Sequence, residues 1–317
     1  MGYNVSVTTT GDRPQQAAGA EVKVQADTVG MLGLGIMGSA MTANLVKAGF
    51  RVFGYDPVAS ARQRLATDGG TPTNAALDTI RPARYLLTSL PSAEALELVT
   101  AQIIEAGQPG LIVAETSTLP VEAKQRAREA MQARGVTLLD CPLSGTGAQA
   151  VTRDLAVYAS GDTAAIASIQ PVLDGFSRVT YVIGSFGSGM QMKLMANLLV
   201  SIHNVAAAEA LLLGARMGID LDTAVKVLAD GAGGSRMLQV RGPIMSARTW
   251  DEATMKVSIW QKDIKLIASA LEAANVPAPL FNAAIPVYNA AVGMGYGDAD
   301  TASVYDVLEQ MSSLRRG

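Results

Sequence analysis

Val29-Gly-Met-Leu-Gly33-Leu-Gly-Ile-Met-Gly38 decides the fold. A short apolar run, Val29–Leu32, passes directly into a Gly-x-Gly-x-x-Gly spacing, and the pattern then turns helical from Ser39 to Ala48. In that strand–turn–helix setting Gly33 permits a tight turn, Gly35 lets a pyrophosphate approach the backbone, and Gly38 allows close helix packing. The loop of Gly33, Leu34, Gly35, Ile36, Met37 and Gly38 is therefore the expected dinucleotide loop. The next apolar run, Arg51–Tyr55, ends at Asp56, about 20 positions on, where a carboxylate can accept both hydroxyls of an adenosine ribose. A carboxylate there repels a 2′-phosphate, and Pro57 and Val58 add no cation, so NAD is expected over NADP. Arg62 and Arg64, further along the following helix, keep NADP as the alternative.

Outward from this loop, apolar runs at Tyr85–Leu90, Leu111–Glu115, Thr137–Cys141, Leu155–Ser160 and Thr180–Ile183 alternate with helical patterns at Ala59–Thr67, Ala93–Ala101, Val121–Ala133 and Ala164–Leu173. That alternation predicts an α/β, Rossmann-type, doubly wound parallel sheet. After Ile183 the strand signals stop. Gly184–Gly189 leads into a long apolar helix from Met190 to Met217, and the remainder reads as all-α. Breakers at Gly231–Gly234, Gly242–Pro243, Pro277–Pro279 and Gly293–Gly297 divide it into five or six helices. The expected division is an extension at 1–27, a dinucleotide-binding domain at 28–184, and an all-helical substrate and oligomerisation domain at 185–317.

Composition narrows the chemistry. With 317 residues, 49% of them hydrophobic, the chain can bury two moderate cores. A formal net charge of −3 leaves no basic footprint for nucleic acid. One cysteine, Cys141, and one histidine, His203, supply neither a disulfide framework nor a zinc constellation, so no metal is expected and the cytoplasm is the default compartment. Residues 1–26 lack the apolar core of a secretory signal, and the long helix carries Lys193, Asn197, His203, Asn204, Glu209 and Arg216, which suit a buried helix better than a membrane span.

Four blocks, in order, resemble the β-hydroxyacid dehydrogenase family, which includes 3-hydroxyisobutyrate dehydrogenases, tartronate semialdehyde reductases and relatives of 6-phosphogluconate dehydrogenase. They are Gly33 to Leu45, Asp140-Cys-Pro-Leu-Ser-Gly-Thr-Gly-Ala-Gln-Ala150, Gly187-Ser-Gly-Met-Gln-Met-Lys-Leu-Met-Ala-Asn197, and Lys262-Asp263. Leu90-Pro91 and Ser117-Thr118 match strand-end positions that line the nicotinamide side in such enzymes. The resemblance implies that Ser144, Gly145 and Thr146 hold a substrate carboxylate, that Lys193 and Asn197 face its hydroxyl, and that Lys262 lies near the cofactor. It also implies a homodimer or homotetramer. Thr146 stands where the family usually has a second glycine, Arg153 where another glycine is common, and Ala196 where a first asparagine is usual, which leaves the substrate open.

The chemistry asks for what these residues offer. Moving a hydride at a carbinol carbon requires a positioned acid–base for the hydroxyl proton. Lys193 suits if partial burial lowers its pKa. Asn197, four residues on, lies about 40° around and about 6 Å along the same helix, whereas His203 falls about 15 Å away and reads as a packed or interface histidine. The Ser144–Gly147 loop follows a strand end, and its amides and hydroxyls suit a carboxylate. By the resemblance, Arg236 falls in a segment that reaches the active site in related enzymes and is a candidate for a second anionic or polyhydroxylated substrate end. The expected function is NAD-dependent oxidation of a short 3-hydroxy acid, the alternative a semialdehyde reductase. A non-catalytic dinucleotide-binding protein would have no reason to keep Lys193, Asn197 and the Ser144 loop together.

Overall fold

The computed structural model describes residues 6–9 and 27–312. Apart from Ser6–Thr9 and Asp27, the expected extension at 1–27 lies outside the described residues. The chain divides into two compact units, one ending at Lys193 and the other beginning at Leu194. The last strand of the first unit ends at Gly184, and the division between the units falls within the helix that follows.

In the first unit the elements follow as β1 (Ser6–Thr9), β2 (Thr28–Leu32), α1 (Ile36–Lys47), β3 (Arg51–Tyr55), α2 (Ala59–Thr67), β4 (Thr71–Pro72), α3 (Ala76–Ile80), β5 (Tyr85–Thr88), α4 (Ala93–Ala106) and β6 (Ile112–Glu115). Then come α5 (Val121–Gln132), β7 (Thr137–Asp140), β8 (Leu143–Ser144), α6 (Gly147–Val151), β9 (Ala156–Ser160), α7 (Thr163–Phe176), β10 (Val179–Gly184) and the start of α8 (Ser188–Arg216). Side chains alternate across the strands: Val29 and Met31 of β2 join one core with Met41 and Leu45 of α1, while Leu32 joins the opposite core with Leu96 and Ile103 of α4. Two buried faces on one sheet are what a doubly wound arrangement requires.

The strand order is β1-β10-β9-β7-β6-β5-β2-β3-β4. From β4 through β7 every pairing is parallel. Beyond β7 the sheet is mixed, because β9 meets β7 antiparallel at Asp140 and Ser160, and β1 meets β10 antiparallel. Antiparallel strands at the margin of a parallel sheet are common in such folds. The chain winds outward from β2 through β3 in one direction and from β5 through β7 in the other. The switch point thus lies between β2 and β5, where ligands gather beyond the carboxyl ends of the strands.

The second unit takes the rest of α8 with α9 (Leu221–Asp230), α10 (Arg236–Ala247), α11 (Val257–Ala273), α12 (Pro279–Gly293) and α13 (Val304–Met311), around a core that includes Leu211, Trp260, Phe281 and Tyr305. Gly242–Pro243, expected to break a helix, lies inside α10. A Cβ at Gly242 would meet Val225 side-chain carbons at 2.9 Å, so α9 and α10 pack there closely enough to keep α10 continuous despite Pro243. The long helix α8 is by length and composition apolar enough to cross a membrane. It carries a buried amide that bonds to neighbouring elements: Asn204 Nδ2 donates to Thr301 O at 2.9 Å and to Tyr288 Oη at 3.2 Å.

Candidate active site

The glycine loop closes at its two ends and opens in the middle. Gly33 has φ +94, and a Cβ there would lie 2.1 Å from Ser89 O; a Cβ on Gly38 would lie 2.0 Å from Gly33 O. Neither position admits a side chain. Gly35 is exposed, with nothing within 4 Å of its Cβ position, and caps α1 without a side-chain hydrogen bond. The first N–H groups of α1 are thus free of a capping side chain, which is the condition for receiving an anion there. Leu34 departs from expectation. Its side chain is fully buried, and its N–H donates to Asp56 Oδ2 at 2.8 Å, so it shapes the loop from behind and offers a ligand neither group.

Asp56 is anchored at the end of β3 by that bond and by Val58 N–H to Oδ1 at 2.8 Å. A carboxylate has about four acceptor sites, so both oxygens retain capacity for ribose hydroxyls. Sequence spacing put Arg62 further along the helix. Its guanidinium instead folds back, Nη1 donating to Asp56 O at 2.6 Å and Pro57 O at 3.2 Å, and lies 5.9 Å from the Tyr55 ring centroid.

At the neighbouring strand ends Leu90 N–H donates to Ser117 Oγ at 2.7 Å, joining the loops after β5 and β6; Leu90 and Thr118 are half-buried and Pro91 exposed. The Ser144 loop lies beside the glycine loop, since a Cβ at Gly147 would meet Ile36 Cγ2 at 2.6 Å. Asn44 Nδ2 of α1 also donates to Ala150 O at 2.8 Å. Here the expectation for Thr146 is corrected. Thr146 and Gln149 form a capping box on α6: Thr146 N–H donates to Gln149 Oε1 at 3.0 Å, and Thr146 Oγ1 accepts from Gln149 N–H. The Thr146 amide is spent on its own helix, and Ser144 and Gly145 remain as the loop's half-buried donors.

Lys193 is half-buried on α8 at the end of the first unit. In the second unit Asn197 is 3% exposed and donates through Nδ2 to Asp263 Oδ2 at 3.0 Å, while Lys262, next to Asp263 on α11, is half-buried. Helix periodicity puts Lys193 and Asn197 on one side of α8. Arg236 is exposed at the start of α10, with Nη1 3.4 Å from Gln239 Oε1. His203 is half-buried.

Sequence reasoning missed a buried charge cluster at the strand ends of the first unit. Lys124 Nζ lies 2.7 Å from Glu115 Oε2 and 2.7 Å from Asp140 Oδ1, all three side chains at 0% exposure. Burial alone would push the Lys124 pKa down, but the two carboxylates outweigh it and hold the ammonium above the ordinary lysine range. The only hint in the sequence is the helical phase of Lys124, one residue from Ala123 and three from Ala127 on the buried side of α5. Cys141, beside Asp140, is fully buried, and burial pushes its thiol far up, which removes it as a nucleophile.

Comparison with known proteins places the chain in a family. Residues 28–184 match the family model of the NAD binding domain of 6-phosphogluconate dehydrogenase, and residues 187–308 match that of the NAD-binding region of NADP-dependent 3-hydroxyisobutyrate dehydrogenase. An L-threonate dehydrogenase of Escherichia coli is 31% identical over 287 residues, covering 88% of this chain and 94% of that protein. An NAD-dependent L-serine dehydrogenase of Pseudomonas aeruginosa is 27% identical over 291 residues, covering 89% and 97%. The crystal structure of a 3-hydroxyisobutyrate dehydrogenase from Salmonella typhimurium superposes with TM-score 0.80 at 30% identity, covering 89% of this chain and 99% of that one.

Proposed function

The chain belongs to the β-hydroxyacid dehydrogenase family of NAD(P)-dependent oxidoreductases, and on that premise we propose that it oxidises a short 3-hydroxy acid with NAD, Lys193 taking the hydroxyl proton. The observation that carries the reading is the opening over Gly35, between two glycines that packing closes, with Asp56 anchored at the next strand end. Gly33, Gly35, Ile36, Met37 and Gly38 would receive the pyrophosphate, Asp56 the adenosine ribose, and Leu90, Pro91, Thr118 and Lys262 the nicotinamide side. Bound NAD supplies the hydride acceptor. Asp56 favours NAD by repelling a 2′-phosphate, although Arg62 lies nearer that position than spacing implied.

Ser144 and Gly145 hold the substrate carboxylate, a role that Thr146 shares only through loop shape. Lys193 accepts the hydroxyl proton during oxidation and returns it to a carbonyl oxygen in the reverse reaction, as a semialdehyde reductase would use it. Asn197, fixed by Asp263, orients the same hydroxyl, and Arg236 meets a second polar end of the substrate. We place the enzyme in the cytoplasm, without nucleic-acid or membrane partners. We also propose a homodimer or homotetramer, because Met195, Leu199 and Leu213 of α8 are each at least half exposed. Light scattering should give the mass of two or four chains; a single-chain mass at micromolar concentration refutes this.

The decisive test supplies L-threonate, L-serine and 3-hydroxyisobutyrate with NAD or NADP and follows reduced nicotinamide. Lys193→Ala should lower kcat by roughly 10²- to 10⁴-fold on whichever acid is oxidised, with NAD affinity unchanged. Near-native kcat in that variant refutes the role of Lys193.

A further inference from the structure

The Glu115–Lys124–Asp140 cluster sets two carboxylates against one ammonium, all at 0% exposure. A buried excess charge is costly unless oriented dipoles take it up. Here the start of α8 supplies them: Met190 N–H donates to Asp140 Oδ2 at 2.8 Å, and Gly189 N–H donates to Ser160 Oγ at 2.9 Å, itself 3.2 Å from Asp140 Oδ2. These N–H groups form the positive end of a helix dipole. The contact is tight, since a Cβ at Gly189 would lie 2.3 Å from Tyr158 O and 2.9 Å from Asp140 O. Lys193 follows Met190 by less than one turn.

The same cluster reaches the other strand ends. Glu115 Oε1 accepts from Ser117 N–H at 2.9 Å and Thr88 Oγ1 at 3.4 Å, and Ser117 Oγ receives Leu90 N–H at 2.7 Å. One buried charge centre thus holds both the loops after β5 and β6 and the first turn of α8.

We propose that Lys124, Asp140 and Ser160 are positioning residues that clamp the first turn of α8 to the strand ends and thereby set Lys193 for proton transfer. This rests on the proton-transfer role of Lys193. Asp140 bonds the helix, Lys124 fixes the rotamer of Asp140, and Ser160 carries the bond to Gly189.

The test compares Asp140→Asn, Ser160→Ala, Lys193→Ala and the double variant Asp140→Asn/Lys193→Ala, with NAD and the best-oxidised acid among L-threonate, L-serine and 3-hydroxyisobutyrate. Asp140→Asn should lower kcat about ten- to a hundredfold, since small misplacements of a reacting group cost that much, while KM and NAD affinity barely move. In the Lys193→Ala background it should cost nothing more, because it acts through Lys193. Hydrogen exchange of the cofactor-free variant should quicken in residues 186–197 and stay native in residues 28–45. A folded Asp140→Asn with native kcat, losses that multiply in the double variant, or NAD affinity falling in step with kcat each overturn the proposal. If Asp140→Asn does not fold, Ser160→Ala decides: a several-fold fall in kcat at native NAD affinity supports the clamp, and an unchanged kcat overturns it. Loss of turnover in Lys193→Ala alone, with Asp140→Asn fully active, sinks the clamp and spares the catalytic lysine; native turnover in Lys193→Ala sinks both.

Discussion

Lys124 in the first unit and Arg241 in the second are both shut away from solvent, yet they are built for different ends. Arg241, 3% exposed, faces Asp300 with Nε–Oδ1 at 3.2 Å and also donates to the neutral hydroxyls of Thr301 and Thr254. Burial lowers its pKa, with Asp300 opposing. Asp300 in turn accepts the N–H groups of Thr254, Met255 and Ala302, so charge is matched one to one and the surplus bonds tie the chain after α10 to the turn before α13. Around Lys124 the count is two carboxylates to one cation, and the remainder is directed at the start of α8. A matched pair holds a fold together; an unmatched one also points at something.

The contrast can be broken by experiment. Lys124→Met should have the largest effect, because it leaves two carboxylates confined without a cation: a loss of about 3–5 kcal/mol in urea unfolding, accompanied by a fall in kcat per folded molecule. Adding Glu115→Gln should recover part of the stability, and a double variant no more stable than the single one contradicts the charge count. Arg241→Met should come next, costing about 3 kcal/mol, since Asp300 keeps three backbone donors. Its turnover per folded molecule should remain native; a drop matching that of Lys124→Met erases the distinction between the two clusters. The smallest effect is a labelling rate. Cys141, with its thiol pushed up by burial and then by Asp140, should resist iodoacetamide at pH 8 in the native protein; loss of the Lys124 cation by itself pushes that thiol up further, so the measurably faster labelling expected in Lys124→Met but not in Arg241→Met reports local opening of the destabilised strand ends.

The same contrast explains what the sequence revealed. Strand β3 and helix α2 begin and end where expected, at Arg51–Tyr55 and Ala59–Thr67, because buried parallel strands read as unbroken apolar runs and their crossovers as helical spacing. The strands Thr71–Pro72 and Leu143–Ser144 are too short to show a period. Gly242–Pro243 misled because packing against Val225 overrides local propensity, which a window of sequence does not contain. The glycine loop and Asp56 were legible since their chemistry is local or set by a fixed strand–helix–strand spacing. Lys124 was not. Its partners lie on β6 and β7, brought together only by the sheet order, and its helix reads as a polar crossover helix with an ordinary surface lysine. Thr146-x-x-Gln149 carries the spacing of a capping box, a common helix-start signature, which the resemblance to a substrate-binding block outweighs in the sequence.

That capping box reaches further than the helix it starts. The number of amides this rim can present to an anion is governed by Gln149, which turns the Thr146 N–H inward. Gln149 in its turn is tethered by Nε2 to Asp154 at 2.9 Å. On the proposed reading, in which this rim holds the substrate carboxylate, the range of acids accepted can drift through changes at positions 149 and 154 while every group proposed to touch substrate stays the same, so enzymes with matching catalytic motifs need not share a diet.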